Sequence, residues 1–581
     1  MSFRANLILL FIYIAWQTAS VPALCQHYRL QYVCTDSSDT APPIGRLHEF
    51  SDSAAIIRQL GIKISELWRD GYLAASIDSI TFNSLQATAR IYSGDRYFWA
   101  EVTPDSTLEK ILRQLPGRKD RIFRGPVDPV RLARVKDLVI SYMENEGYPF
   151  ASVLLENLRF RDRGISAEMV LRKNTRYTID SVLIKGDAGI RERYFQKLTG
   201  IRPGDVYNQE KLAQISRRIK ETGFLSEIRP FELEFYESEV DLYTYINKSR
   251  GNQFNGIIGF LPDHTKSGKL LLTGDINLFL VNSFGRGEAF GLAWKKPEPL
   301  TQELHVNLAW PFLFHTDFGA GMTFDLHKQD TTFLTVNPVI SLNFFMDGMN
   351  YLRFYYDHAS TILLDKSGQA GGGAGSVNAD MSSSVYGLGL FYQRLDYLYN
   401  PRRGFLADLS LGLGTRKIDS NRSSGDTGNN GKDRSAKYSG RSHLQLFIPA
   451  GKSFTFLVQN RSGLIRAADI YENELYRLGG ISSIRGVEEN SVLASFYSIF
   501  TAEARYLFEE NSCFYLFYDA GYYEKDSPAG FLSDTPMGFG AGISLQSGVG
   551  IFTINYSIGQ EFDNPINIGR AKIHLGYISR F

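Results

Sequence analysis

Cysteine is almost absent from this chain: Cys25, Cys34 and Cys513 are the three in 581 residues. Cys25 closes an N-terminal stretch, residues 1–25, that reads as a secretory signal. Arg4 supplies the positive end, Leu7 to Ile14 the apolar run, and Val21-Pro-Ala23 or Ala23-Leu-Cys25 the cleavage site. Leu24 stands where a lipid-accepting cysteine needs a small residue. Cys34 and Cys513 fall in different proposed domains, which predicts no structural disulfide. A charge excess is also missing. Lys+Arg number 63 and Asp+Glu 62, so nucleic acid is excluded as the main partner, which would need a basic surplus. After residue 25 no apolar run reaches the roughly 18 residues of a transmembrane helix. The nine histidines show no His-x-x-x-His spacing, and there is no Gly-x-Ser-x-Gly elbow. Gly371-Gly-Gly-Ala-Gly375 lacks the Lys and helix of a phosphate loop and reads as a flexible loop. The chain is therefore not expected to be an enzyme, and no catalytic, cofactor-binding or metal-ligating residue is predicted.

Aromatic residues and glycine are plentiful: Tyr 32, Phe 40 and Gly 53. Both suit a many-stranded membrane barrel, with its aromatic girdles and tight turns. The last eleven residues are the clearest strand. Ala571, Ile573, Leu575, Tyr577, Ser579 and Phe581 share one face, and Lys572, His574, Gly576, Ile578 and Arg580 the other. That is period 2, over the about 9–11 residues a barrel strand needs to span a membrane. From about Gly251 onward no helical periodicity is visible. Alternating segments such as Lys269–Leu280, Glu303–Trp310 and Tyr351–Asp357 are separated by polar stretches, of which Asp365–Ser384 and Lys417–Arg441 predict long outer loops. Residues 250–581 leave room for sixteen strands.

The N-terminal part repeats. Gly71-Tyr72, Gly147-Tyr148 and Gly223-Phe224 each follow a helical stretch and open a strand, and the glycines are 76 residues apart in both intervals. Each glycine stands where a helix end wants a left-handed residue. Asp128-Pro129 reads as cap and first turn of a helix with Leu132, Val135, Val139 and Tyr142 on one face. Each unit reads strand–helix–helix–strand–strand.

These units resemble POTRA domains. The third, from Ile179-Asp-Ser-Val-Leu-Ile-Lys-Gly186 to Gly223-Phe224, matches over its whole length, and the second and first match progressively less well. The C-terminal region resembles the Omp85 superfamily. Asn282-Ser-Phe284-Gly285-Arg-Gly287, Trp310-Pro311-Phe312 and Tyr399-Asn-Pro401-Arg-Arg403-Gly404-Phe405 are similar to its turns. Leu478 to Gly486 is similar to the tip of its long sixth extracellular loop, with Val487 in place of the usual aromatic. Phe517-Tyr-Asp519-Ala-Gly521 is similar to its Phe-x-Asp-x-Gly strand. The resemblance implies a multi-domain chain: signal 1–25, POTRA units 26–100, 101–175 and 176–249, and a 16-stranded antiparallel transmembrane barrel 250–581. It implies that Arg485 and Gly486 anchor the sixth loop on Asp519 and Gly521, since an Arg fork fits a carboxylate. It implies a terminal recognition signal in Tyr577 and Phe581. It also implies a weak seam between first and last strands, where Gly256, Gly259 and Gly576 would weaken pairing.

The function expected on that resemblance is protein insertion or export at the bacterial outer membrane, with the POTRA units in the periplasm. The partners expected are unfolded outer-membrane or secreted client proteins and membrane lipids, with a periplasmic or inner-membrane partner protein left open. A two-partner secretion transporter, usually with two POTRA units and a plug helix, is the alternative. A passive porin is a third reading, which a large steady conductance would favour.

Overall fold

The computed structural model describes residues 28–35, 48–50, 52–83, 86–114, 123–262, 270–296, 300–364, 378–418, 433–548, 550–562 and 566–581. The expected signal segment 1–25 and the loop Gly371–Gly375 lie outside these. So does most of the expected loops Asp365–Ser384 and Lys417–Arg441. The chain divides into two compact units, residues 1–177 with 206–209 and residues 178–205 with 210–581.

The first unit holds two small α+β modules. In one, strands Tyr28–Cys34 and Gln86–Tyr92 run parallel, with Ser76–Asn83 antiparallel at the free edge and His48–Phe50 at the other. Helix Ser53–Arg69 packs Ile56, Leu60, Ile64 and Leu67 onto this sheet, the spacing of one helical face. In the other, Phe98–Pro104 runs parallel to Gly164–Arg172, with Ser152–Arg161 antiparallel at the edge. Asp128 caps helix Pro129–Asn145, its carboxylate accepting the amides of Val130 and Arg131 at 2.9 and 3.0 Å. Val135, Val139 and Met143 are its buried face. Trp99 is buried with Val127 and Ile165, and its strand begins at Phe98, so the second module's first strand is already under way at residue 101. A strand that starts a sheet is fixed by its partner across the sheet, which residue order along the chain does not reveal.

The third module has the same plan and belongs to the second unit. Thr178–Lys185 runs parallel to Glu239–Lys248, and Leu225–Tyr236 is the antiparallel edge. Gly71, Gly147 and Gly223 all have positive φ, at 94°, 98° and 73°. Helix Ile215–Thr222 buries Glu221. Burial pushes its carboxyl up to about 7, against the pull of Arg217 and Arg218. A folded-state value above the unfolded one stabilises below the unfolded pKa and is lost as pH rises through 7. Hydrogen-exchange protection of Ile215–Thr222 in the intact chain, corrected for intrinsic rates, should therefore be higher at pH 5 than at pH 8. Glu221→Gln should flatten that difference.

The rest of the second unit is a closed antiparallel barrel from Gln253–Pro262 to Lys572–Arg580. Gly530–Asp534 and Met537–Gln546 pair successive parts of the same neighbour, Ser512–Ser527, and count as one interrupted strand. The barrel then has sixteen strands, as expected. Alternation sets the two faces: Leu409, Leu411 and Leu413 are exposed outside, while Asp408, next to Leu409, faces the lumen and Arg353 at 3.6 Å. Among the described residues no helix is long and apolar enough to cross a membrane. Strands Gly404–Ile418 and Asp433–Ala450 are 15 and 18 residues long. They take in both ends of the stretch expected as loop 417–441. Strand beyond the apolar band faces water on both sides, so its sequence looks like a loop.

The terminal strand exposes Ile573, Leu575 and Tyr577 outward. Tyr577 packs its ring 4.6 Å from that of Phe552. Phe581 lies one residue past the strand, half-exposed, and its amide donates to the Asn252 carbonyl at 3.1 Å. Closure of the barrel rests on two residue pairs, Gln253 with Arg580 and Phe254 with Ser579. The neighbouring hairpins carry ten and seven. Gly256, Gly259 and Gly576 lie on the two edge strands but outside those rungs; they pair with Ile276, Thr273 and Thr553 on the inner neighbours.

Candidate functional site

The segment between strands Phe454–Arg466 and Phe496–Glu509 folds back into the barrel. It joins the eleventh strand to the twelfth, the position of a sixth outer loop. Its stem is a two-stranded ribbon, Tyr476–Leu478 with Val492–Ala494. Its tip is clamped on itself: the Gly479 amide donates to the Ser483 hydroxyl at 2.6 Å and the Gly480 amide to the Val487 carbonyl at 3.1 Å. Gly479 has φ of 110°, and a Cβ there would meet the Glu488 carbonyl oxygen at 1.8 Å. Only glycine closes so tight a turn.

Arg485 points from this tip into the wall. Its Nε and Nη2 donate to Asp519 Oδ2 and Oδ1 at 2.8 and 2.7 Å, a two-pronged pair, and its backbone amide adds a third bond to Oδ2 at 3.1 Å. Its Nη1 donates to Glu503 Oε1 at 2.6 Å. Thr501 Oγ1 also donates to Asp519, at 2.8 Å, and Arg505 takes the other oxygen of Glu503 at 2.7 and 2.9 Å. The guanidinium lies 3.6 Å from the centre of the Phe517 ring. Two cations and two carboxylates thus balance. Asp519 is 0 % exposed, Arg485 9 % and Glu503 8 %, so the pair is shielded from water and its Coulomb term is screened little.

The wall beneath the tip is shaped for it. Thr501, Asp519, Gly538 and Gly559 are successive cross-strand partners, one row over four strands. Asp519 takes the Arg485 side chain. A Cβ at Gly538 would sit 1.8 Å from the Arg485 carbonyl oxygen, and one at Gly559 would sit 2.4 Å from the Gly486 carbonyl carbon. Gly486, with φ of 89°, would in turn meet the Gly559 amide at 2.4 Å, and Gly521 would meet Ile484 at 2.7 Å. Loop backbone lies directly on strand backbone. Val487, in place of the expected aromatic, is buried with Leu478, Ile484, Val492 and Tyr523, and fills the ribbon's own small core.

Further fastenings hold the loop. Glu474, 2 % exposed, pairs with Arg416 at 2.6 Å and Lys437 at 3.2 Å; Glu472 pairs with Lys525; Glu489 reaches across to Lys295 on the third strand. Sequence reading named Arg485, Gly486, Asp519 and Gly521 together, and the fold brings them together. It missed Glu503, Gly538 and Gly559. Gly538 and Gly559 carried a usable signal, since glycine inside a strand marks a close backbone approach. Cys34 and Cys513 are both free.

The Omp85 superfamily domain matches residues 282–581, more than half of the chain. The chain belongs to the Omp85 superfamily. A POTRA family, described as a surface antigen variable number repeat, matches residues 177–248. This Omp85 chain is an outer-membrane protein of the barrel-and-POTRA kind. Among solved structures it is similar to CdiB from Escherichia coli, with a TM-score of 0.51 and 14% identity over 91% of this chain and 98% of that one. CdiB from Acinetobacter baumannii gives 0.50 and 11% over 90% and 96%. BamA from Haemophilus ducreyi lacking POTRA domains 1-3 gives 0.41 and 15% over 84% and 100%. No curated protein matches.

Proposed function

We propose that this protein assembles or translocates other proteins at the bacterial outer membrane, with its N-terminal modules in the periplasm as three POTRA domains. The observation that carries this reading is the seam. Two rungs close a barrel whose adjoining hairpins have ten and seven, so the first and last strands are the easiest place to open it. An opened edge offers backbone donors and acceptors to a client strand with little demand on sequence. The edge strands Ser76–Asn83, Ser152–Arg161 and Leu225–Tyr236 offer the same on each module. On Ser152–Arg161 the exposed side chains Leu154, Leu158 and Phe160 add apolar grip. Three modules before the barrel most resemble the translocation and assembly module subunit TamA.

A second reading is a two-partner secretion transporter, which passes a soluble client through the lumen. A cavity of about 810 Å³ inside the barrel, with Asn337, Arg353, Asp357 and Arg441 among its lining, favours it. One crosslink separates the two. Phe254→Cys and Ser579→Cys stand opposite each other in a seam rung. With the native cysteines changed to serine, the oxidised pair should leave the barrel folded and heat-modifiable but stop client insertion. Undiminished insertion by the verified crosslinked form would remove lateral opening. Continued export of a soluble client would favour the lumen route.

A further inference from the structure

The turn Leu398-Tyr399-Asn400-Pro401 follows strand Met381–Leu395, at the barrel end that carries the third module. Tyr399 Oη donates to the Gly223 carbonyl at 3.1 Å. Gly223 is the left-handed residue that closes helix Ile215–Thr222, and a Cβ there would meet Leu398 Cδ2 at 2.7 Å. The helix end is therefore seated on the turn without slack. On the face of the same ring lies the Arg580 guanidinium, 3.7 Å from its centre. Arg580 belongs to a seam rung, opposite Gln253. Its Nε and Nη2 donate to the Arg250 carbonyl at 3.1 and 2.8 Å, just before the first strand, and Arg250 Nη1 donates to the Gly548 carbonyl at 3.0 Å. One tyrosine thus touches the third module through its hydroxyl and the last barrel strand through its ring, and the hydroxyl also reaches Gln253 and Arg580 in the seam.

We propose that Tyr399 is a positioning residue that couples the third module to the seam, so that displacement of helix Ile215–Thr222 loosens the closing rungs. The link is short and stiff. A phenol has two side-chain torsions, and here the hydroxyl meets the third module and Gln253 of the first strand while the ring face carries Arg580 of the last. Pulling on the Gly223 carbonyl must turn the ring or break the bond. Turning the ring removes the surface on which Arg580 rests. The guanidinium then keeps only its bonds to Arg250, and the rungs at Gln253 and Phe254 lose their lateral support. The coupling belongs to this chain's own contacts and stands apart from what the protein transports.

Hydrogen exchange on the intact protein in lipid nanodiscs tests it with three variants. Tyr399→Phe removes only the hydroxyl and leaves the ring under Arg580. Exchange should quicken about two- to tenfold, the range of one neutral hydrogen bond, at the end of helix Ile215–Thr222. Gly223→Ala changes only the helix end, where its Cβ would meet Leu398 Cδ2 at 2.7 Å and the Tyr399 hydroxyl at 3.0 Å, and it should quicken exchange at the amides of Phe254 and Phe581 in the seam. Coupling is reciprocal, so Arg580→Gln should quicken exchange at the helix end as well as at the seam. A purely structural tyrosine gives local effects alone. If the effect of Gly223→Ala is confined to the helix end, or that of Arg580→Gln to the seam, the coupling is overturned.

Discussion

Arg485→Ala should cost about 3–5 kcal/mol of loop docking, the range for breaking a shielded ion pair from one side. The reason is what it leaves behind. Asp519 is fully buried and would keep only the Thr501 hydroxyl and one backbone amide. Glu503 would keep Arg505 and suffers less. The loss reads as a lower temperature for conversion of the folded, fast-migrating barrel, and as cleavage of residues 479–490 by protease added outside. Asp519→Ala should look similar, and the double variant should be no worse than the worse single, because the two act as a unit. Arg485→Lys should recover little, since an ammonium cannot serve both carboxylates as a fork does. Simple additivity in that cycle would mean that the pair does not hold the loop.

Gly538→Val should release the same loop while leaving every charged group in place. The added Cβ needs space that the Arg485 carbonyl oxygen occupies, at 1.8 Å. Backbone on backbone cannot yield by changing a rotamer, so the tip must lift or the strand must bend, at about 1–3 kcal/mol. Exposure of residues 479–490 to protease should approach that of Arg485→Ala. A loop that stays protected in Gly538→Val would show that the ion pairs alone set its position. Comparing the two variants separates charge from shape, because one removes the fork and the other removes the seat.

How much of this was readable depends on whether the controlling contact is near in sequence. Strand Lys572–Arg580 was legible because period-2 alternation between lipid and lumen is a local property. The helix ends at Gly71, Gly147 and Gly223 were legible because a left-handed residue announces itself. Arg485 and Asp519 could be paired only through the family resemblance; 34 residues separate them and nothing in the spacing joins them. Glu503 stayed hidden for the same reason, as one acid among many on a strand. The row Thr501, Asp519, Gly538, Gly559 is a matter of register between four strands, which no single strand encodes. The two ends of the stretch 417–441 were misread as loop because polar residues on a strand outside the apolar band obey no burial rule. The start of the second module was misplaced because Trp99 finds its neighbours at Val127 and Ile165, beyond any local window.

The contact between Glu489 and Lys295 gives the barrel a second circumference. Gly486 rests on the fifteenth strand at Gly559, and three residues later the same loop holds the third strand. The sixteenth, first and second strands lie between those points, and with them the seam. Backbone rungs close that arc at the end carrying the third module. The loop closes it again near the opposite end, by backbone at Gly559 and by a side chain at Lys295, each one residue from its strand's limit. The seam is thus bracketed like a door with a hinge pin at one end and a chain at the other. Parting it across its full length requires undoing both.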